Sequence, residues 1–253
     1  MANAGEQGKR VAIVQSNYIP WKGYFDLIAA ADEFILLDDV QYTRRDWRNR
    51  NKIKTPSGAE WLTIPVEVSG KYHQLIRDVV VSDASWAIKH WRMLAQHYGK
   101  APHFRELASV VEGWYGAAAA MPKLTDINEH FLRAVCAVLD IRTPIRRSSE
   151  FTLGEGKSER LVALCTQARA TAYLSGPAAR DYLDPTLFDS AGVTVEWMSY
   201  DGYEQYRQLY PPFEHGVTVL DLLFNVGGEA RRFMKCGAPG APGPGAPEAS
   251  ERR

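Results

Sequence analysis

Cysteine is scarce: Cys136, Cys165 and Cys236 stand alone in 253 residues, with no C-x-x-C pair and no histidine at ligand spacing. That excludes a disulfide framework and a zinc site of the finger type, and it fits a reducing cytoplasm. Net charge is missing as well, because 30 Lys and Arg balance 30 Asp and Glu. No bulk field therefore draws the chain to nucleic acid or to an anionic membrane, and any such contact is local. No stretch approaches the roughly 18 consecutive apolar residues of a membrane span, and the opening MANAGEQGKR lacks the apolar core of a signal peptide. The expectation is a cytoplasmic protein with no membrane partner. No internal repeat of fixed period is present.

What is there supplies a core: 45% apolar and 11% aromatic residues suffice for one large or two modest domains. Residues 1–10 are polar and expected to be flexible, and residues 235–253 form a Gly/Ala/Pro tail expected to be disordered. VAIVQ from Val11 and EFILLDDV from Glu33 are apolar runs without alternation, as in strands covered on both faces, and KGYFDLIAAA between them has helical spacing. Strand, turn, helix and strand in some thirty residues predict a right-handed βαβ unit. WLTIPVEV and LIRDVVV, flanking a loop with Lys71 and His73, predict an antiparallel flap that completes an α/β part over residues 11–84. Residues 85–145 read as helical. Residues 146–234 read as a second α/β part ending in a helix over VLDLLFNVGGEARRFM, kinked at its paired glycines. The fold class is α/β: a Rossmann-like, mostly parallel sheet with a helical insertion.

Chemistry concentrates at the strand ends. The turn Gln15–Tyr24 carries Asn17, Tyr18, Trp21, Gly23 and Tyr24 where a plain connector needs only small polar residues; these side chains either line a ligand crevice or plug the core beneath the sheet. Asp38 and Asp39 follow the second strand, then Gln41, Arg45, Trp47, Arg48, Asn49, Arg50 and Lys52. Arginine forks suit phosphate or carboxylate and Trp47 suits stacking, against the alternative of a solvated loop with weak ion pairs. On alternating strand positions the two aspartates face opposite sides, so at most one lines the crevice and no metal site is expected. Of His73, His90, His97, His103 and His130, His73 in its GKYHQ loop is the best candidate acid or base. Ser175, Arg180 and Tyr182 follow a further strand, with Ser175 as either helix cap or phosphate contact. Cys165 in LVALC reads as a buried structural thiol, and Asp221 and Asn225 in VLDLLFN as supports of the site.

The motifs QSNYIPWKGYFDLI, LLDDVQYTRRDWRNRNKI, YLSGPAARDYLD and VLDLLFN together resemble the WbqC-like family, over the whole body from Val11 to about Met234. The resemblance implies a place in bacterial surface-polysaccharide or specialised-metabolite pathways, with modification of an amino sugar or related amine. A second, weaker likeness is to nucleotidyltransferases of the pantothenate synthetase type. Trp21, Lys22, Gly23 and Tyr24 stand where that group carries a histidine-x-glycine-histidine turn, and both histidines are absent.

Residues and resemblance together predict a transferase that forms an amide by moving an acyl or aminoacyl group to an amine. Asp39 or His73 would take the proton, Asn17 and Gln15 would serve the oxyanion, and Arg45, Arg48 and Arg50 would hold a phosphorylated partner. Tyr18, Trp21, Tyr24, Gln41, Trp47, Asn49, Ser175, Arg180 and Tyr182 complete the expected substrate contacts. The donor is a thioester, a carrier protein or an aminoacyl-tRNA, and no cofactor is assigned. Two alternatives stand beside it: an ATP-dependent ligase or nucleotidyltransferase using ATP and magnesium, and a non-catalytic module for sugar phosphate or nucleic acid.

Overall fold

The computed structural model describes residues 8–237. The expectations of a flexible N-terminus and a disordered tail fall, over residues 1–7 and 238–253, outside the described residues. At the inner margins both expected boundaries move. Arg10 already opens the first strand, and Lys235–Gly237 forms a 3-10 turn whose Cys236 N–H donates to Asp26 Oδ1 at 2.8 Å.

Five parallel strands make the main sheet: β1 (Arg10–Val14), β2 (Glu33–Leu36), β5 (Ile145–Arg147), β6 (Ala172–Ser175) and β7 (Thr194–Trp197). Their order across the sheet is β5-β2-β1-β6-β7, and every neighbouring pair is parallel. This is the Rossmann-like α/β arrangement expected from the sequence. Alternation along β1 explains its apolar run: Val11 and Ile13 join one core cluster and Ala12 the other, on opposite faces. The chain steps outward on one side of β1 and then returns to build β6 and β7 on the other. The crevice outside the carboxyl ends of β1 and β6 is therefore the switch point where open α/β sheets bind ligands.

Helix α1 (Lys22–Ala29) crosses from β1 to β2 with Tyr24, Phe25, Leu27 and Ile28 buried. The helical insertion comprises α2 (Trp86–Tyr98), α3 (Phe104–Ala118) and α4 (Leu124–Val138), packed with α1 in the larger cluster. Helices α5 (Lys157–Gln167) and α6 (Pro185–Ser190) cover the opposite face, where Cys165 is fully buried and its thiol pushed up to about 12. A structural thiol was expected there.

Three elements differ from expectation. The antiparallel hairpin is β3 (Arg50–Thr55) with β4 (Gly58–Thr63), so the basic run continues into a strand, and the segment from Leu75 is a 3-10 turn at Ile76–Asp78 with isolated bridges. Ile53 and Leu62 are wholly buried beneath this hairpin, whereas Arg50 and Lys52 mask the alternation in sequence. The single helix that AARDYLDPTLFDSAG predicts is instead a 3-10 turn (Pro177–Asp181) followed by α6, which begins at Pro185 and is capped by Asp184. The last helix, α7 (Val219–Val226), stops at Gly227, where φ is +63° and a Cβ would lie 2.4 Å from the His103 ring; a 3-10 stretch follows to Phe233.

Candidate functional site

The first turn is braced from several directions. Arg48 Nη1 donates to the carbonyls of Gln15 at 3.2 Å and Ser16 at 3.3 Å and also to Asn17 Oδ1. Buried Asn51 donates to the carbonyls of Tyr18 and Ile19, both at 3.0 Å. Those bonds hold Ile19 at φ 35°, a region that a β-branched residue rarely occupies. The Ser16 N–H donates to Asp38 Oδ1 at 2.9 Å, and Asn128 Nδ2 reaches Ser16 Oγ at 3.0 Å. Strain held in place by so many partners is typical of ligand sites.

Tyr18 and Tyr24, expected among the substrate contacts, are core residues. The Tyr18 ring is wholly buried edge-on against Trp86 and Phe131. Its hydroxyl meets Tyr115 Oη at 2.8 Å and His90 Nδ1 at 2.9 Å, and His90 Nε2 lies 3.2 Å from the Thr63 carbonyl. A carbonyl only accepts, so Nε2 carries the imidazole proton. The order of donation is then Tyr115 to Tyr18, Tyr18 to His90, and His90 to Thr63. Burial lowers the His90 pKa to about 4 and holds the ring neutral. The Tyr24 hydroxyl donates to the Gln15 carbonyl at 2.9 Å.

Trp21 does face a cavity. A pocket of about 320 Å³ is lined by Asn17, Pro20, Trp21, Trp47, Asn51 and His215. Trp21 is fixed by edge contacts with Tyr200 at 5.1 Å and Tyr203 at 5.7 Å, while Trp47 leans on Trp61 at 5.1 Å and keeps 40% of its surface exposed. Gly23 makes room for the Trp21 indole, since a Cβ there would fall 2.4 Å from the ring. The close approach that Gly23 permits is thus to a side chain of the protein itself. Because Arg48 holds Asn17 Oδ1, the Asn17 NH2 is the group left to donate.

His215, like Pro20 and Asn51, lines the cavity without being among the residues expected from sequence. It lies in the loop before α7, with its ring edge-on to Phe213 at 4.6 Å. Its pKa is lowered, first by burial and then by the Lys22 ammonium, with Glu214 opposing. Lys22 is itself buried, donating to the carbonyls of Phe233 at 2.7 Å and Glu204 at 3.3 Å, and burial lowers its pKa to about 8. Asp221 secures the loop from below: it accepts from Tyr98 at 2.9 Å, Tyr206 at 2.7 Å and Gln208 at 2.9 Å. Gln208 in turn binds the Glu214 backbone at both ends of its amide. Asn225 spends its NH2 on the Asp221 carbonyl at 2.8 Å.

The remaining expected residues scatter. Arg48 braces the protein's own turn, so it is not free to clamp a phosphate. Arg50 lies 4.0 Å over the Trp61 ring and reaches back to the Arg45 carbonyl, Arg45 itself is exposed, and Asn49 is buried holding the Ile64 carbonyl at 2.8 Å. Gln41 binds the Tyr72 carbonyl at 2.9 Å, and exposed His73 packs edge-on to Tyr72 at 5.0 Å, lining neither cavity. Ser175 is buried, 3.3 Å from the Tyr173 hydroxyl, and neither caps a helix nor lines a cavity. Arg180 covers Trp197 at 5.1 Å, and Tyr182 is exposed within the field of Arg48. Gln15 keeps a side-chain amide with no hydrogen-bond partner among the described residues.

Asp39 lies elsewhere. Ser148 Oγ donates to its Oδ2 at 2.5 Å and Arg77 pairs with its Oδ1, so it is not a free base. Asp38 and Asp39 both line a second cavity, of about 410 Å³, because they stand beyond the end of β2 where strand alternation no longer applies. Among the described residues no three His, Cys, Asp or Glu side chains gather to hold a metal ion. None of the described helices is long and apolar enough to cross a membrane.

The WbqC-like protein family matches this chain over residues 15–233, from the first turn to the 3-10 stretch after α7. The uncharacterized protein Rv1507c of Mycobacterium tuberculosis is 51% identical over 227 residues, spanning 90% of this chain and 98% of the relative. No solved structure matches the chain. The family match runs through the braced turn, the hairpin, the insertion and the His215 loop, and the chain belongs to the WbqC-like protein family.

Proposed function

We propose that this protein is a group-transfer enzyme that acylates an amine of a sugar or related small metabolite in the cavity between Asn17, Trp21, Trp47 and His215. The observation that carries the reading is His215. Its imidazole, open to solvent on one side, stands on the wall of an aromatic, amide-lined pocket beside the switch point, within reach of an amine bound between the two indoles. The base in this reading is therefore His215 in place of Asp39 and His73. Asp39 is paired with Arg77 and Ser148 and lines the other cavity, and His73 stands outside the pocket.

The indole faces of Trp21 and Trp47 suit the apolar face of a sugar ring. The amine nitrogen gives up a proton to His215 as it attacks the acyl carbon. The Asn17 NH2, fixed by Arg48, donates to the oxygen on which negative charge develops. The donor's leaving group then departs with the proton from His215, so atoms and charge balance. One well-placed oxyanion donor contributes roughly 10²–10³ in rate.

Incubation of the full chain with a panel of amino sugars and acyl donors (coenzyme A esters, carrier-protein thioesters and aminoacyl-tRNA), followed by mass spectrometry, tests this. Amide product dependent on His215 is the expected result. Binding without turnover across the whole panel would overturn the transferase reading and favour a binding module.

A further inference from the structure

The second cavity lies at the carboxyl ends of β2 and β5, on the other side of the first turn from the Trp21–His215 pocket. Its volume of about 410 Å³ far exceeds the ~30 Å³ share of a single water. Asp38, Asp39 and Asp78 face it together with Arg77, Lys123 and Arg147, and the hydroxyls of Thr125, Ser148 and Ser149 complete the wall. Three acids and three bases around one space make neither an anion hole nor a cation hole.

The charges are not equally available. Arg147 is occupied by Asp126 at 2.9 Å and Glu129 at 2.5 Å. Arg77 pairs with Asp39 and lies 4.0 Å from Asp78. Lys123 is exposed at the rim and has no ion-pair partner among the described residues, so it is the cation left to meet an incoming negative group. Asp38 and Asp39 are buried, at 5% and 7% exposure, and each accepts from two donors: the Ser16 N–H and Thr125 Oγ1 for Asp38, Arg77 and Ser148 for Asp39. A carboxylate has about four lone-pair positions, which leaves both able to accept from an ammonium.

Coulomb repulsion decides the ligand class. Like charges brought together in a partly desolvated cavity repel more strongly than they do in bulk water. A simple anion such as phosphate meets Asp38 and Asp39, and a simple cation meets Arg77 and Arg147. A small molecule carrying both charges can place its ammonium by the aspartates and its carboxylate by Lys123 and Ser149. We infer that this cavity is a binding site for a small zwitterion of the free α-amino acid class. The site goes beyond the group-transfer reading and stands without it, although Asp38 links it to the first turn through the Ser16 N–H.

Isothermal titration of the full chain with a panel of free L-amino acids tests the inference. N-acetyl amino acids lack the cation, amino-acid amides lack the anion, and inorganic phosphate serves as a third control. Saturable binding of one or more amino acids, at least tenfold tighter than the matched controls, is the expected result. Lys123→Met and Ser149→Ala, both at exposed positions, weaken it, the former at least tenfold, while His215→Ala leaves it unchanged. Failure of every amino acid to bind, equal binding of either single-charge control, binding of phosphate alone, or full affinity in Lys123→Met overturns the site. Loss of binding in His215→Ala instead places the amino acid in the Trp21 pocket and equally overturns it.

Discussion

Acidification is expected to loosen the floor of the first turn through His90. In the folded chain this imidazole is buried, accepts from Tyr18 and donates to Thr63, and its pKa falls from 6.5 to about 4. Unfolded, it binds a proton near 6.5. The folded form therefore binds fewer protons throughout that window, so the contribution is fully present above pH 6.5 and is lost as pH falls toward 4. At about 1.4 kcal/mol per unit, the whole shift corresponds to roughly 3 kcal/mol. Urea unfolding at pH 7 and pH 4.5, on the wild type and on His90→Gln, measures it. The Gln amide keeps a donor for Thr63 and cannot titrate. The variant is expected to be less stable at pH 7 by about 1–2 kcal/mol, yet to lose about 2 kcal/mol less than the wild type on acidification. Equal losses in the two proteins would refute the reasoning, because the acid sensitivity would then belong to other groups.

Three further outcomes follow from the braced turn. Asn51→Ala leaves the buried carbonyls of Tyr18 and Ile19 without their donor and should cost about 2–4 kcal/mol in chemical denaturation, whereas a cost under about 0.5 kcal/mol would mean the turn holds itself. Gly23→Ala drives a Cβ to 2.4 Å from the Trp21 indole, so the ring must leave its place on the pocket wall; tryptophan emission should change and affinity for any ligand of that pocket fall about tenfold, roughly 1.4 kcal/mol. Arg48→Lys keeps the charge but cannot reach the Gln15, Ser16 and Asn17 oxygens together, so turnover should fall about tenfold or more with a smaller change in KM; a pure KM effect would show that Arg48 binds substrate directly.

The sheet was legible because its strands are covered on both faces: VAIVQ and EFILL read as apolar runs, and their spacing around α1 implies parallel pairing. The hairpin was hidden by Arg50 and Lys52, whose charges stand on its outer side while Ile53 and Leu62 alone mark the inner one. The short β5, Ile145–Arg147, offers two arginines in three residues and is a strand only because β2 presents it with a partner. At the site, the importance of the turn was readable from its costly side chains. Which of them face a ligand was not. Tyr18 and Trp21 are three residues apart and equally aromatic, and only the insertion, by supplying His90 and Tyr115, draws Tyr18 into the core. His215 gave one weak signal, a Pro/Gly-flanked loop in YPPFEHGVT before an apolar helix. Gln208 and Asp221 hold that loop locally, but its approach to Asn17 and Trp47 depends on distant backbone bonds, Thr218 N–H to the Lys52 carbonyl and Val219 N–H to the Pro20 carbonyl, which no local pattern signals.

The most direct test of the central claim is a crystal structure of the chain with the amine acceptor that the turnover screen selects. The account predicts the ring of that molecule between Trp21 and Trp47, with its amine nitrogen within roughly 3.2 Å of a His215 ring nitrogen. An acceptor bound at His73 or over the Arg180–Tyr182 surface, with the Trp21–His215 pocket empty, would contradict it.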